Sequence, residues 1–212
     1  YPRLCGSAEG IAALSELGVD AVTLANNHAL DSDREGLRLT AERLSARGIV
    51  ALGVRAAEQG TLRAERLGPI AVVAANATRT RYEPGRSVPL ATPRAIERAV
   101  GEARRSEARR PVIVSIHAGR EGWRWASRHD GELARAAVAG GAAAVVFHGA
   151  HVVRELRVER GVPVHLGLGN LLFDQRAPAM REGVVLTLRV PLRGGPAAVE
   201  GVTRVRAARD HE

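Results

Sequence analysis

The chain has 212 residues, of which 45% are hydrophobic and only 3% are aromatic, and its formal net charge is +8. All 31 basic residues are Arg. No Gly-Lys-Ser phosphate loop accompanies them, so we do not expect nucleic acid as a partner. The single Cys5 excludes an internal disulfide and a cysteine zinc cluster, and no apolar run is long enough to cross a membrane. We predict a single domain over residues 1–212 with an aliphatic core.

The first half of the chain alternates predicted helices and strands. Ser7 is a candidate N-cap for a helix that ends at Gly18, and a second helix ends at Gly48. Strands are predicted over 19–25, 49–52, 62–67 and 70–75, followed by a loop over 78–93, a helix to about 109 and a strand over 111–117.

The second half continues this alternation and then changes to consecutive strands. Asp130 is the candidate N-cap of a helix that ends at Gly140, after a loop over 119–127. Strands are predicted over 142–147, 152–158, 162–168, 183–191 and 198–206, so that 176–212 holds the C-terminal strands of the same domain. This order predicts the α/β class, with mixed or packed sheets flanked by helices.

Polar side chains follow three of the predicted strands, where each strand ends. Because ligands bind at the carboxyl ends of strands in open α/β sheets, we expect these ends to converge on one site. Imidazole nitrogens and amide oxygens can hold a divalent metal ion without cysteine. The candidate residues are Asn27 and His28 after the first strand, His117 after the second, and His148 and His151 after the third.

Each of these residues also has a structural interpretation. A lone histidine at a strand end is more often a hydrogen-bonded structural residue than a ligand, and Asn-Asn is a common turn sequence. Four of the seven histidines lie at three separate strand ends, which favours a shared site. The other three, His129, His165 and His211, are interpreted as structural or surface residues.

Four motifs along the chain resemble those of the bacterial capsule-synthesis protein CapA family, which is associated with poly-gamma-glutamate. They occur in the order of the family and together cover about residues 18–175. The motifs are LGVDAVTLANNHALD at 17–31, VSIHAG at 114–119, HGAHVV at 148–153 and LGNLLFDQ at 168–175.

The resemblance implies the calcineurin-like metallophosphoesterase fold, a sandwich of mixed β-sheets flanked by helices with a two-metal centre. It implies divalent Mn, Zn or Fe as the cofactor, which would polarise the scissile group and activate water. His28 would act as an acid or stabilise the transition state, and Asp31 would either orient an imidazole or cap a helix. The implied metal ligands are Asn27, His117, His148 and His151.

Further residues in the matching motifs are candidates for a substrate cleft. Glu121 lies where the family has an acidic residue after its histidine motif, and it could instead cap a loop. Asn170 and Asp174 lie in the last motif, although Gly-Asn after a strand is also a turn sequence. Trp123 and Trp125 either line a substrate groove or cover the edge of the core.

The chain departs from the family pattern in two places. Family members begin with a strand that ends in Gly-Asp, whose carboxylate is expected to hold a metal, and no such strand fits before Gly18. We therefore expect the chain to be truncated at its N-terminus, with the first strand or strands missing. Gly149 and Ala150 follow His148 where the family has a second histidine.

The resemblance also implies partners and a location. The expected function is a metal-dependent phosphoesterase-type hydrolase in capsule or poly-gamma-glutamate biosynthesis, acting on a phosphoester or an anionic polymer. The alternative is a non-catalytic accessory or polymer-binding subunit. Capsule-synthesis membrane proteins are expected partners, and an outward-facing, membrane-associated position in the cell envelope is the expected location.

Overall fold

The computed structural model describes residues 4–78, 89–106, 110–173 and 175–207. Its helices are α1 (Ala8–Glu16), α2 (Asp33–Ser45), α3 (Val54–Gln59), α4 (Pro93–Ser106) and α5 (Arg128–Ala139), with a short 3-10 helix over Pro178–Arg181. Its strands are β1 (Ala21–Thr23), β2 (Val50–Leu52), β3 (Ala64–Leu67), β4 (Ile70–Asn76), β5 (Val112–His117), β6 (Ala144–His148), β7 (Leu156–Glu159), β8 (Val162–His165), β9 (Glu182–Arg189) and β10 (Ala198–Arg206). Most of the predicted loop over 78–93 lies outside the described residues.

The centre of the fold is a six-stranded mixed sheet in the order β3-β4-β5-β6-β8-β7. The four inner strands are parallel, and the two edge strands run antiparallel to their neighbours. Six of the seven residues of β4 are buried, which is typical of a parallel strand covered on both faces. Helices α4 and α5 pack against each other and against this sheet. The predicted α/β class is confirmed.

Two smaller sheets complete the structure. Strands β1 and β2 pair in parallel, while β9 and β10 form an antiparallel hairpin. The hairpin continues toward the main sheet, because the Val184 amide donates to the Leu168 carbonyl at 2.8 Å and the Leu168 amide donates to the Phe147 carbonyl at 2.9 Å. The predicted mixed sheet flanked by helices is confirmed: the six-stranded sheet is mixed, whereas the β1–β2 sheet is parallel and the β9–β10 sheet is antiparallel. None of the helices in the described ranges is long and apolar enough to cross a membrane.

Strand β5 separates the core from the candidate site. Val112, Val114 and Ile116 are fully buried in the main core. Since side chains alternate along a strand, Ser115 and His117 share the opposite face. The register pairs His117 with His148 of β6, so that their imidazoles project side by side.

Several predicted boundaries are wrong. The N-cap of α5 is Ser127 instead of Asp130: the Ser127 hydroxyl accepts from the Asp130 amide at 3.1 Å, and the Asp130 carboxylate accepts from the Ser127 amide at 2.9 Å. Strand β1 covers only three of the seven residues predicted over 19–25. Strand β7 begins at Leu156, because the segment after β6 forms the loop that carries His151. Helix α3 was not predicted.

Candidate metal centre

The side chain of Asn27 meets that of His117 at the junction of two sheets. Asn27 lies in the loop after β1 and is only 7% exposed. Its Oδ1 is 2.7 Å from Nε2 of His117, 90 positions along the chain. The preceding Asn26 forms an Asx turn, accepting from the His28 amide at 2.8 Å, and this turn places Asn27 toward the main sheet. The structure thus brings together two of the predicted ligands.

His117 also contacts His148, and His148 contacts a serine. The Nδ1 atoms of the two imidazoles are 3.0 Å apart, and the ring planes are inclined by 64°. The other ring nitrogen of His148, Nε2, is 3.1 Å from the hydroxyl oxygen of Ser115. Side chains from β5, β6 and the β1 loop therefore form one continuous chain of hydrogen bonds.

Both imidazoles in this chain favour the neutral form. Burial holds the pKa of His117 well below its usual value of 6.5, and the nearby His148, His151 and His28 lower it further by charge repulsion. Burial likewise lowers the pKa of His148 to about 4, with a smaller contribution from His151. A neutral imidazole is the form that binds a metal ion.

His151 is held in a fixed orientation by Asn170. The Asn170 Nδ2 donates to the Met180 carbonyl at 2.7 Å, which directs Oδ1 toward His151 Nδ1 at 2.9 Å. His151 has a positive φ of 59°, which is uncommon for a residue other than glycine. Asn170 was expected to face a substrate cleft or form a turn, and the structure brings its amide into contact with the predicted ligand His151.

The side chains of His28 and Asp31, predicted as an acid and its orienting carboxylate, are in direct contact. The Asp31 carboxylate is buried, and its Oδ2 is 2.8 Å from His28 Nδ1 and accepts from the Leu4 amide at 2.7 Å. The N-cap position of α2 belongs to Ser32, so Asp31 is not the cap of that helix. The carboxylate therefore orients the imidazole, in agreement with one of the two interpretations of Asp31.

Three of the four remaining cleft candidates lie within the described residues. Glu121 is exposed, and within the described residues its carboxylate has no hydrogen bond to the imidazoles. Trp123 and Trp125 are 49% and 81% exposed, which argues against a core-covering role for Trp125. The Arg120 guanidinium lies 4.0 Å from the centre of the Trp123 ring, a cation–π contact. Asp174 lies outside the described residues.

Sequence reasoning missed two residues that support the site. Ser115 could have been found from its spacing, because it lies two residues before His117 on the same strand face.

Arg154 is buried and forms an ion pair with Asp130 at 3.0 Å. It also donates to the carbonyls of Trp123 at 2.8 Å and Arg120 at 3.3 Å, and so holds the loop after β5.

The donor chemistry of the cluster fits a divalent ion. Asn27 Oδ1 and His117 Nε2 are hydrogen-bonded at 2.7 Å, and a divalent ion that displaced this contact would receive an amide oxygen and a neutral imidazole nitrogen. His148 and His151 are near enough to influence the pKa of His117. Within the described part of the chain, no group of three or more His, Cys, Asp or Glu side chains is arranged to hold a metal ion.

Comparison with known sequences identifies the family. The sequence model of a family described as bacterial capsule synthesis protein PGA_cap matches residues 1–175. The chain belongs to this family. The resemblance inferred from the motifs is confirmed, and the match includes the loop of Asn27, the ends of β5 and β6, and Asn170.

Solved structures give a more distant likeness. The chain is similar to the crystal structure of the protein TT1561 of Thermus thermophilus, with 12% sequence identity and a TM-score of 0.44. The similarity covers 94% of this chain and 91% of that chain. No curated protein matches the chain in sequence.

Proposed function

We propose that this member of the capsule synthesis family is a metal-dependent hydrolase that acts on a phosphoester or an amide-linked anionic polymer of the cell envelope. The observation that carries the proposal is the approach of Asn27 Oδ1 and His117 Nε2 to 2.7 Å across 90 positions of sequence. Both atoms belong to ligand types that suit divalent Mn, Zn or Fe.

Asn27, His117 and His151 are the metal ligands in this proposal. Asn170 supports the role of His151, because an acceptor at Nδ1 keeps the proton there and leaves the Nε2 lone pair of the neutral ring for an ion. His148 belongs to the same centre, although its two ring nitrogens contact His117 and Ser115.

His28 is the residue that we assign to proton transfer. Asp31 orients its imidazole through Nδ1. In many functional histidines, a carboxylate or a backbone carbonyl holds one ring nitrogen in this way and leaves the other free to act. His28 would donate a proton to the leaving oxygen or amine of the substrate. A bound divalent ion would polarise the scissile group and lower the pKa of a water molecule.

The net charge of the chain suits an anionic substrate. The formal charge of +8 attracts polyanions to the surface over a range of about 8–10 Å at physiological ionic strength. Phosphodiesters and polymers with free carboxylates are both anionic, so the positive charge of the chain would attract either substrate. The family description favours a role in capsule synthesis. We further propose that the protein acts at the cell envelope, with capsule-synthesis membrane proteins as partners.

A chromogenic phosphodiester assay tests the hydrolase proposal. Purified protein stripped of metal would be assayed with bis(p-nitrophenyl) phosphate after addition of Mn, Zn or Fe. We expect turnover that depends on the metal and that falls at least about 100-fold in His28→Ala and His117→Ala, since general acid catalysis and a ligand would be lost. His129→Ala is the matched control, because His129 is exposed on α5 and pairs with Glu132.

A second candidate function is a non-catalytic, polymer-binding accessory subunit. The observation that favours it is that the ring nitrogens of His117 and His148 all have protein partners, so the histidines already satisfy one another structurally. This candidate predicts binding of poly-gamma-glutamate without metal-dependent turnover. Two results together would favour the accessory subunit over the hydrolase. The wild type and His28→Ala would bind the polymer equally well, and neither would hydrolyse the ester with added Mn, Zn or Fe.

A further inference from the structure

Both tryptophans of the chain lie on the loop that follows β5, two residues apart. All residues from Arg120 to Trp125 are exposed, and Trp125 is the most exposed large hydrophobic residue in the described part of the chain. Tryptophan is usually well buried in folded proteins, because its large ring contributes strongly to cores and interfaces. The loop therefore presents to solvent two rigid apolar surfaces that the fold does not use.

Backbone hydrogen bonds and one buried side chain hold this loop in a fixed conformation. The Trp123 amide donates to the Arg120 carbonyl at 3.2 Å, and Gly122 between them has a φ of 73°, which is typical of a type II turn. The Gly122 amide donates to the Ala150 carbonyl at 2.9 Å, which joins the turn to the loop after β6. Arg154 donates to the carbonyls at both ends of the turn. A ligand would thus meet an ordered surface, which lowers the entropic cost of binding.

The turn also places a cation on one of the rings. The guanidinium of Arg120 lies 4.0 Å from the centre of the Trp123 ring, a stacked position that leaves the N–H groups at its edge available to an anion. Among the described residues, neither Arg120 nor Arg124 forms an ion pair. A planar carboxylate can accept two parallel hydrogen bonds from a guanidinium. The loop therefore combines two cations with two apolar rings.

A cleft beside Trp125 gives an extended chain a place to lie. Its volume is about 410 Å³, which is within the range of small-ligand sites. The segment directly after His151 lines it, so the cleft adjoins the loop of the candidate centre. Its charged lining residues among those described are Arg124, Arg154, Arg204, Glu155 and Glu182. Since Arg154 and Glu155 already form ion pairs, two arginines face one glutamate there.

We propose that the loop over 120–125 and the adjoining cleft bind a polymer whose repeating carboxylates are separated by apolar atoms. The carboxylates would pair with the guanidinium groups of Arg120 and Arg124, and the methylene groups between them would pack on the ring of Trp125. A polyphosphate could use only the cations, and a neutral polymer only the rings. The inference rests on the proposed function for the role of this polymer as substrate, and it adds the surface that recognises the chain.

Intrinsic fluorescence tests this proposal directly, because the loop carries every tryptophan of the chain. The purified protein would be titrated with poly-gamma-glutamate, or with polyphosphate of similar total charge, in the presence of a chelator. The variants are Arg120→Gln, Trp125→Ala and Glu121→Gln, all at exposed positions. Arg98→Gln is the control, because it removes the same charge from an exposed position of α4 beside Gly140, at the other end of α5.

We expect poly-gamma-glutamate to change the fluorescence of the wild type in a saturable way. Arg120→Gln and Trp125→Ala should each weaken binding at least about 5-fold, since Arg and Trp most often dominate the energetics of binding surfaces. Glu121→Gln removes a negative charge from the loop and should strengthen binding by about 2–5-fold. Arg98→Gln should change the affinity by less than about 2-fold. Polyphosphate should bind with an affinity that Trp125→Ala leaves unchanged.

Several results would overturn the site. No saturable change in the wild type would do so, and equal weakening by Arg98→Gln and Arg120→Gln would mean that the polymer follows only the net charge of the chain. A fluorescence shift with vesicles of anionic phospholipid but not with poly-gamma-glutamate would assign the rings to a membrane surface instead. These failures leave the phosphodiester assay of the hydrolase unaffected. Conversely, polymer binding that depends on Arg120 and Trp125, in a protein without turnover, would retain the site and contradict the hydrolase.

Discussion

The carboxamide of Asn170 holds the imidazole of His151 through a 2.9 Å contact between Oδ1 and Nδ1. The amide cannot turn over, because its Nδ2 already donates to the carbonyl of Met180. The proton of a neutral His151 is therefore on Nδ1, and Nε2 carries the lone pair. A residue of the last family motif thus determines which nitrogen of a neutral His151 carries the lone pair.

Replacing Asn170 tests this relationship. Asn170→Leu removes the three hydrogen bonds of a buried amide, to His151 Nδ1 and to the carbonyls of His151 and Met180, and we expect it to lower the free energy of unfolding by about 1–3 kcal/mol. Zinc affinity should fall by about 10–100-fold. Asn170→Asp keeps the acceptor for His151 but loses the donor to Met180, so it should be destabilised while retaining more of the zinc affinity. Chemical denaturation and calorimetry measure the two effects, and equal zinc affinity of all three proteins would contradict the contact.

The backbone at Gly149 leaves room for the ring of His117. A Cβ at this position would lie 2.9 Å from both Cε1 and Nε2 of His117, and the φ of Gly149 is +106°. Gly149→Ala should therefore combine backbone strain with displacement of the imidazole. Gly161→Ala is the matched control, because Gly161 has a φ of +83° but only an ordinary contact, at 3.8 Å from Pro196.

We expect Gly161→Ala to cost about 1–2 kcal/mol of stability from strain alone. Gly149→Ala should cost more and should also abolish metal binding, since the Asn27–His117 approach depends on the position of the ring. Thermal denaturation and zinc calorimetry on both variants make the comparison. Equal losses of stability with intact zinc binding would show that the ring does not need this space.

The buried pair of Arg154 and Asp130 is expected to be important for stability. Arg154→Met leaves a buried carboxylate without its cation, which typically costs about 3–5 kcal/mol. Arg128→Met is the control, because the Arg128–Glu132 pair is exposed and such pairs contribute about 0–1 kcal/mol. Urea denaturation measures the difference. Proteolysis should cut the loop at Trp123 faster in Arg154→Met, and a loss no larger than that of the control would contradict the prediction.

The metal-free protein should become less stable as the pH falls. The pKa of His148 is about 4 in the folded protein and about 6.5 when unfolded, so the unfolded chain binds more protons between these values and acid favours it. From about pH 7.5 to about pH 5, this residue alone should lower the free energy of unfolding by up to about 2 kcal/mol. His117 acts in the same direction.

His148→Gln is the variant that isolates this contribution. It removes one titrating imidazole from the site, so its stability should change less between the two pH values than that of the wild type. Urea denaturation in the presence of a chelator gives the two slopes. The same pH dependence in both proteins would mean that His148 titrates normally in the folded state.

The sequence was sufficient to predict that the ends of β5 and β6 lie side by side at one edge of the sheet. Parallel strands place their carboxyl ends at the same edge, and His117 and His148 come directly after buried apolar runs. Alternation of side chains also makes Ser115 a neighbour of His117. These inferences depend only on the periodicity of a strand.

Contacts between separate sheets could not be predicted in the same way. The meeting of Asn27 and His117 depends on how the β1–β2 sheet docks, and no local pattern specifies that. Arg154 has many counterparts among the scattered arginines, and only the fold distinguishes a buried cation from a solvated one. The cap of α5 was missed for a different reason: Asp130 and Ser127 are both good N-cap residues, and the reciprocal hydrogen bonds decide between them.

The candidate centre lies between two sheets that, in the described part of the chain, share no ladder of backbone hydrogen bonds. Asn27 follows the two-stranded β1–β2 sheet, whereas His117 belongs to the six-stranded sheet. Near this junction a Cβ on Gly53 would approach Ala25 and Ala74 to within 3 Å, so the two layers are in close contact. An ion bound by both Asn27 and His117 would link the two sheets. Removal of the ion should therefore increase amide hydrogen exchange first in β1, β2 and α2. Occupancy of the centre would thus be measurable in the rigidity of the β1–β2 sheet, which is joined to the centre through Asn27.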